Sequence, residues 1–194
     1  MPRSELLEVV NEQDEVIGQE TRDTIHTAGL LHREIHVWFI TPDGSIIFQH
    51  RAKNKDTYPD LLDATVGGHV EVGQTYEQTA VKETKEETGV DIVMSDLHFL
   101  KKVHRRSVDS VTGKINYAFR VQYAYLYRGS VADLTVEKGK AIGFEAWSIE
   151  KIFVLGDNEK RLFIPAVYSS EFLALFRECK AFITTTTPHE NRKQ

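Results

Sequence analysis

The segment Gly67–Val90 reads GGHVEVGQTYEQTAVKETKEETGV and decides how the rest of the chain is interpreted. Its carboxylates Glu83, Glu86 and Glu87 are spaced i, i+3 and i+4, which places them within roughly 100° of arc on one helix face. Like charges at this spacing destabilise an isolated helix by about 0.2–0.5 kcal/mol per pair. Because Mg²⁺ takes carboxylate oxygens and bridges to phosphate, a bound divalent ion would turn this repulsion into binding. The segment therefore predicts a metal-binding helix.

The ends of this helix carry residues that are typical of helix termini. Thr75, followed by Gln78 three residues later, forms a capping-box pattern, and Gly89 suits the left-handed conformation that ends a helix. The alternative is a solvated acidic helix without a metal, because charged faces with this spacing are common. The double glycine Gly67–Gly68, the capping pattern and the terminal glycine together favour the functional interpretation.

Length and composition restrict the class of protein. With 194 residues the chain suits one domain with a substantial core, and its net charge of −5 argues against a nucleic-acid partner. The single cysteine, Cys179, excludes an internal disulfide and a multi-cysteine metal site. The first residues lack the pattern of a signal peptide, and no apolar run approaches the ~20 residues of a membrane span. We expect a cytoplasmic protein with no membrane partner.

Hydrophobic periodicity and turn residues predict an α+β domain with a mixed β-sheet, because strands lie on both sides of the acidic helix without regular alternation. The domain should span residues 1–183, and the polar residues 184–194 should form a disordered tail. Residues 51–63 should form an exposed loop. The remaining predicted elements are a hairpin (Leu6–Val10, Val16–Gly18), a helix at Thr21–Ala28, strands at Ile35–Thr41, Ser45–His50, Asp91–Ser95, Leu97–Val103, Ile115–Tyr127 and Phe144–Trp147, a short helix from Ser148 and a helix at Ser169–Phe182.

The strand Ile115–Tyr127 carries aromatic residues at alternate positions. Such a face could stack a nucleotide base or form part of the core. Alternation of this kind is typical of a buried strand face, so we predict core.

The segment from Gly68 to Val90 resembles the Nudix box, G-x5-E-x7-R-E-U-x-E-E-x-G-U, in which U is an apolar residue. The three helix glutamates, the terminal glycine and the final valine stand at their expected places. Three positions depart from the pattern: Gln74 replaces glutamate, Lys82 replaces arginine, and Thr84 replaces an apolar residue. The resemblance in element order covers roughly residues 5–180, and it implies the Nudix-type α/β/α sandwich.

The resemblance also implies roles for the acidic residues. Glu86 and Glu87 would be the principal Mg²⁺ ligands, and Glu83 would be a further ligand or the group that activates water, so all three are predicted as catalytic and metal-binding residues. Mn²⁺ would be an alternative ion. Lys82 would orient the carboxylates, although lysine cannot form the planar fork of arginine. A glutamate restored at position 74 is expected to tighten Mg²⁺ binding.

Further motifs resemble a subgroup of Nudix proteins that is similar to isopentenyl diphosphate isomerase. They are Gly18, Arg22, His26, Leu31–Arg33, Gln49, Arg51, Lys55, Pro59, Asp63 and Gly67–His69. Arg51, Lys55 and Gly68 are the predicted substrate-binding residues, the two cations as phosphate contacts. The alternative for Arg51 and Lys55 is an ordinary exposed cation that keeps the surface soluble.

Isomerase activity is the weakest of three alternatives. The isomerase has a cysteine where this chain has Gly67, and its later glutamate pair aligns with Ile115–Phe119, which carries no carboxylate. His26, His32 and His69 partly match its histidine metal site. Alternatively, His32 and His69 simply hydrogen-bond loop carbonyls.

The resemblance therefore predicts a Mg²⁺-dependent Nudix pyrophosphohydrolase that cleaves a nucleoside diphosphate linked to another moiety, or a related diphosphate. The alternative from another class is a catalytically impaired module that binds a nucleotide, which the three departures motivate. The substrate itself is not encoded in these motifs. If the protein forms a homodimer, the N-terminal hairpin and the last helix are the candidate surfaces.

Overall fold

The protein is described here by a computed structural model that covers residues 5–55 and 57–186. Five helices and nine strands are found within these ranges, together with three short 3₁₀ turns. In chain order they are β1 (Leu6–Val10), β2 (Val16–Thr21), α1 (Arg22–Ala28), β3 (His32–Ile40), β4 (Ser45–Arg51), β5 (Leu62–Asp63), β6 (Val66–His69), α2 (Tyr76–Thr88), β7 (His98–Val108), β8 (Ile115–Leu126), β9 (Ala141–Ser148), α3 (Ile149–Phe153), α4 (Asp157–Lys160) and α5 (Ser170–Thr186).

Seven strands form one mixed sheet, as predicted. Its main path runs β5-β4-β3-β8-β7, with β6 paired to β3 and β9 paired to β4. The β3–β8 pair is parallel and the other pairs are antiparallel. Strands β1 and β2 form a separate hairpin, which confirms the N-terminal hairpin expected from the sequence.

Alternation along β3 builds a core on each face of this sheet. Ile35, Val37 and Phe39 face helix α2, and all three are fully buried in one hydrophobic cluster with Ala80. Trp38 faces the opposite way, where Phe172 and Phe176 of α5 pack edge-to-face against it at centroid distances of 5.5 and 5.1 Å. Because successive residues of a strand point to opposite faces, one strand anchors both helical layers. The predicted α/β/α sandwich is confirmed.

Helix α2 begins and ends where the sequence predicts. The Thr75 side chain accepts from the Gln78 backbone, the Gln78 side chain accepts from the Thr75 backbone, and Gly89 closes the helix at φ 76°. Thr84 is fully buried against the sheet, as expected for its position opposite Glu86. The acidic face is therefore not simply exposed to solvent: Glu83 and Glu87 lie at its buried edge, and Glu86 at its exposed edge.

Several predicted boundaries differ from the structure. Asp91–Ser95 is not a strand, because the Asp96 carboxylate accepts from the Val93 N–H and closes a 3₁₀ turn at Met94–Asp96. Strand β7 runs to Val108, five residues beyond its predicted end, because it pairs with β8 down to Ile115. Helix α5 continues past the predicted domain boundary at 183, and residues 187–194 of the predicted tail lie outside the described residues.

The aromatic strand β8 is part of the core, which confirms the preferred interpretation. Phe119, Val121 and Tyr123 are each less than 10% exposed and pack into the hydrophobic clusters beside α2 and β1. Across residues 5–55 and 57–186, none of the helices has the length and apolar character needed to cross a bilayer.

Candidate metal and diphosphate site

A cavity of about 620 Å³ lies where α1, β3, β6, α2 and the turn before β9 meet. It is predominantly polar and brings together charged groups from distant parts of the chain. Its lining includes Glu34, Arg51, Lys55, Gly67, Gly68, His26, His69, Glu83, Glu87 and Lys140. Two of the three predicted helix carboxylates thus face the same cavity as the predicted cations.

Glu87 is the most deeply buried of the helix carboxylates. Its Oε2 accepts hydrogen bonds from Gln49 Nε2 at 3.1 Å and from the Gly67 backbone N–H at 3.2 Å. Burial raises the pKa of Glu87 to about 7, although Lys140 opposes the shift. Its carboxylate is thus fixed in orientation but only partly compensated in charge.

Glu83 lies one helical turn earlier and approaches the backbone of β6. Its Oε2 is buried and accepts no hydrogen bond in the described structure, and burial raises its pKa. A Cβ at Gly68 would lie only 2.7 Å from Glu83 Cγ, so a glycine is needed for this approach. Gly68 therefore has a steric role beside its place in the cavity wall.

Lys140 is a cation of the site that the sequence motifs did not reveal. Its Nζ lies 3.6 Å from Glu83 Oε2, 3.7 Å from Glu87 Oε1 and 2.8 Å from Glu137 Oε2. Burial lowers the pKa of Lys140, but Glu137, Glu83 and Glu87 together outweigh it and raise the pKa above its ordinary value. No spacing rule connects this residue to α2, because it lies more than fifty residues further along the chain.

Glu86 and two of the residues that depart from the Nudix pattern, Lys82 and Gln74, form a neighbouring cluster around Glu71. Glu86 is not among the cavity-lining residues, and its Oε2 lies 3.3 Å from Lys82 Nζ. Lys82 also contacts Glu71 at 2.6 Å. Gln74 donates to Glu71 and accepts from Thr79, each at 2.8 Å. Lys82 therefore orients Glu86 and Glu71 rather than Glu83 and Glu87.

The two predicted phosphate-binding cations are in different situations. The Arg51 guanidinium already donates to Asp63 at 3.0 Å and to the carbonyls of Thr57 and Tyr58 at 2.8 and 3.0 Å, so it holds its own loop in place. Lys55 makes no side-chain ion pair with any described residue. Burial, followed by repulsion from Arg51, lowers its pKa. Both residues line the cavity, and Lys55 is the one whose ammonium is not already paired with a described carboxylate.

Three histidines lie close together, and two of them, His26 and His69, line the cavity. The Nε2 atoms of His26 and His69 are 3.0 Å apart, and potential ligand atoms of His26, His32 and His69 all lie within 4.8 Å of one another. Nδ1 of His26 is 3.1 Å from the Ile115 carbonyl, and Nδ1 of His32 is 3.1 Å from the Leu30 carbonyl. If each Nδ1 carries the proton, each Nε2 keeps a lone pair directed to the common point.

Glu34 completes this histidine cluster. Its Oε1 lies 3.6 Å from His32 Nε2 and 3.7 Å from His69 Nε2, while Arg120 donates to Oε2 at 2.9 and 2.6 Å. Burial lowers the pKa of His69 to about 3, which favours neutral imidazole. The alternative that His32 and His69 bond loop carbonyls holds for His32, which contacts the Leu30 carbonyl, while the three rings also lie close together.

Comparison with known sequences identifies the family. The sequence profile described as NUDIX domain matches residues 30–165, which include β3, α2 and most of the residues that line the cavity. The chain belongs to the NUDIX domain family. The profile covers well over half of the chain, and the predicted class, a hydrolase acting on pyrophosphate bonds, is confirmed at the level of this family. Nudix hydrolases generally use divalent metal ions, which supports the expectation of a metal but does not fix its identity.

Relatives and solved structures agree with this assignment. An uncharacterized Nudix hydrolase of Clostridium acetobutylicum is 26% identical over 87% of this chain and 80% of its own length. Another, of Streptomyces coelicolor, is 38% identical over 44% of this chain and 47% of its own length, so the match spans only about half of that relative. A crystal structure from Deinococcus radiodurans has the same fold, with a TM-score of 0.67 and 23% identity over 90% of this chain and 99% of the other.

The donor set on α2 fits a hard divalent cation. Such ions prefer carboxylate oxygens, and Glu83 and Glu87 direct theirs into a polar cavity. The buried Glu83 Oε2 without a hydrogen bond is the kind of orphaned acceptor that an ion would satisfy.

Proposed function

We propose that this Nudix protein is a Mg²⁺-dependent hydrolase, with Mn²⁺ as an alternative ion, which cleaves the pyrophosphate linkage of a nucleoside diphosphate joined to another moiety or of a related diphosphate. The observation that carries the proposal is the shared cavity: it is lined both by two incompletely compensated carboxylates, Glu83 and Glu87, and by Lys55, which forms no ion pair with any described residue. Its volume of about 620 Å³ is within the usual range for a small-molecule site.

Glu83, Glu86 and Glu87 are proposed to hold the metal, Glu86 by reaching in from the exposed edge of α2. A bound divalent ion would supply charge neutralisation and polarisation of the diphosphate. Gln49 and the Gly67 N–H keep the Glu87 carboxylate in its orientation. Glu83, whose pKa burial raises, is proposed to accept a proton from the attacking water.

Lys55 is proposed as the direct phosphate contact. Lys55 lines the cavity and has no ion-pair partner among residues 5–55 and 57–186, and a charge-assisted hydrogen bond to a phosphate oxygen would satisfy its ammonium. Arg51 acts through the loop instead, since its bonds to Asp63, Thr57 and Tyr58 hold the segment from which Lys55 projects. Gly68 contributes a wall without a side chain.

The proposal is tested by incubating the protein with nucleotide sugars, dinucleoside polyphosphates, NADH, coenzyme A and prenyl diphosphates in Mg²⁺ or Mn²⁺. We expect release of phosphate-containing products from at least one class and none after addition of a chelator. Lys55→Met should raise KM with a smaller effect on kcat, and Lys53→Met, an exposed neighbour on the same loop, is the matched control. Silence of the folded protein across the panel would favour the non-catalytic nucleotide-binding module.

Isomerase activity is not supported. Gly67 offers no thiol, and its position is already crowded: a Cβ there would lie 3.3 Å from His36 Cδ2. The nearby polar residue of β8, Asn116, is an amide and cannot serve as a carboxylate base. Membership of the isomerase-like subgroup remains a prediction from the motifs.

A second metal position at His26, His32 and His69 is also proposed, favoured by the convergence of their ring nitrogens within 4.8 Å. Metal-bound histidines commonly donate their other ring N–H to a backbone carbonyl, as the Ile115 and Leu30 contacts allow here. Crystals soaked in Zn²⁺ or Mn²⁺ should show an anomalous peak beside these rings. Absence of an anomalous peak beside these rings would mean that the three histidines have a structural role with Glu34.

A further inference from the structure

We propose that Lys140 is a built-in counter-ion of the metal centre: it neutralises Glu83 and Glu87 in the metal-free protein, leaves them when a divalent ion binds, and then contacts the diphosphate. The inference rests on the proposed metal site and gives it a regulatory property. Metal binding alone would be weak, and metal and diphosphate would bind cooperatively.

The position of the ammonium is the first support. Lys140 Nζ lies within 4 Å of both cavity carboxylates, 3.6 Å from Glu83 and 3.7 Å from Glu87, and 2.8 Å from Glu137. A cation at this location uses the oxygens that the proposed metal needs. Because like charges repel most strongly in a partly desolvated site, the ammonium and a divalent ion cannot both remain against the same carboxylates at low cost.

The backbone of Lys140 is anchored, so that only its side chain is free to leave. Its carbonyl accepts from the Ala52 N–H at 3.1 Å and its N–H donates to the Glu137 carbonyl at 3.0 Å. Gly139 precedes it with φ 85°, a conformation that glycine adopts without strain. The turn is therefore tied to the end of β4, beside the loop that carries Lys55.

The cavity offers the displaced ammonium a new partner only when an anion is present. Lys140 and Lys55 line the same cavity, and the charge of Lys140 acts on both Glu87 and Lys55. A diphosphate placed between the two lysines and the metal would compensate all three cations. Without it, release of Lys140 from the glutamates leaves a half-buried ammonium that retains only Glu137.

Thermodynamic linkage between metal binding and diphosphate binding provides the test. If diphosphate removes the cost of displacing Lys140, it must tighten metal binding, and the metal must tighten diphosphate binding by the same factor. Removing the ammonium should abolish this part of the coupling while making the metal alone bind more tightly. A purely structural lysine would instead weaken the site when it is replaced.

The experiment is a Mn²⁺ titration followed by electron paramagnetic resonance, with and without methylenediphosphonate as a diphosphate that cannot be hydrolysed. We compare the unmodified protein with Lys140→Met, with Lys140→Arg, which keeps the charge, and with Lys138→Met, an exposed residue of the same turn. Lys140→Met should bind Mn²⁺ alone about tenfold more tightly and should lose most of the tightening caused by methylenediphosphonate. Lys140→Arg and Lys138→Met should stay within about threefold of the unmodified protein.

The outcomes separate this inference from the proposed hydrolysis. Equal, weaker or absent Mn²⁺ binding in folded Lys140→Met overturns the counter-ion role, and so does an equal gain in Lys138→Met. Tighter binding in Lys140→Met, with no turnover of any substrate by the unmodified protein, supports the counter-ion role while the hydrolase proposal fails. Circular dichroism of each variant establishes that the fold is retained, and Lys140→Arg tests the charge independently of Lys140→Met.

Discussion

Glu34 and Glu87 are buried glutamates that line the same cavity, and their surroundings shift their pKa values in opposite directions. Burial alone would raise the pKa of Glu34, but Arg120 and His32 outweigh it and hold the pKa well below its ordinary range. Glu87 is surrounded by an amide, a backbone N–H and a lysine 3.7 Å away, so burial prevails and its pKa rises to about 7. The protein supplies a counter-charge of its own to Glu34 and only a partial one to Glu87.

The charge of Glu34 is compensated by other residues of the protein, whereas the charge of Glu87 is compensated only in part. The Oε2 atom of Glu34 receives two bonds from Arg120 and its Oε1 receives one from Asn116, so the carboxylate is satisfied within the protein. Glu83, beside Glu87, has a buried oxygen with no hydrogen bond. A buried acid whose charge the protein compensates only in part is a candidate functional group, because it costs stability unless something binds it.

The largest expected effect concerns Glu34, the glutamate whose charge the protein compensates. Arg120→Met should lower the free energy of unfolding by about 3–5 kcal/mol, because it leaves Glu34 buried without its main counter-charge. The matched control is Arg105→Met on β7, whose ion pair with Glu171 is 3.7 Å long and more than one-third exposed. Both variants are unfolded with urea, and Arg105→Met should change the free energy of unfolding by less than about 1 kcal/mol. Equal losses in the two variants would contradict the comparison.

Replacing Glu87 should show the reverse pattern, with loss of activity and no loss of the fold. Glu87→Gln should lower any hydrolytic rate by about 100-fold or more, because a neutral amide holds a divalent ion poorly. Stability in a chelator should stay the same or rise, since a buried charge is removed. Rates are measured on whichever substrate the panel identifies, with Glu178→Gln on the exposed face of α5 as control. Unchanged turnover would exclude the proposed metal site.

The pH dependence of stability follows from the same raised pKa. Between the ordinary value of 4.5 and about 7, the folded state holds a proton on Glu87 that the unfolded chain has lost, so metal-free stability should fall as pH rises through this window. The full shift corresponds to at most about 3 kcal/mol. The pKa of Glu34 is lowered, so its contribution to stability is present above pH 4.5 and does not change across this pH window. Urea unfolding in a chelator should show the slope, and Glu87→Gln should flatten it.

The sequence predicted the parts of the fold that local rules determine. The capping box, the terminal Gly89 and the alternation of β8 depend on residues close together in the chain, and each was found as expected. The predicted strand at Asp91–Ser95 was wrong because the Asp96 carboxylate accepts a hydrogen bond from the Val93 N–H and closes a turn. Hydrophobic periodicity carries no information about such a side-chain bond.

The electrostatics of the site could not be read from the sequence in the same way. Helical spacing places Glu83, Glu86 and Glu87 on one face, but it does not say which part of that face the sheet covers. Packing of α2 against β3 and β6 buries Glu83 and Glu87 and leaves Glu86 with Lys82. Lys140 reaches the carboxylates only through the pairing of β9 with β4, a contact between distant segments.

The smallest expected effect concerns Gln74, the departure from the family pattern that the sequence suggested would weaken metal binding. Its side chain bonds Glu71 and the buried Thr79, and Gln74 is not among the residues that line the cavity. Gln74→Glu would place a second carboxylate beside Glu71, which Lys82 partly offsets, so stability should fall by about 0.5–1 kcal/mol. Mn²⁺ affinity, measured by electron paramagnetic resonance, should change by less than about twofold, since the new charge adjoins neither Glu83 nor Glu87. A tenfold gain in Mn²⁺ affinity would instead show that residue 74 moves into the site when metal binds. The separation between the exposed and buried edges of α2 would then hold only for the metal-free protein.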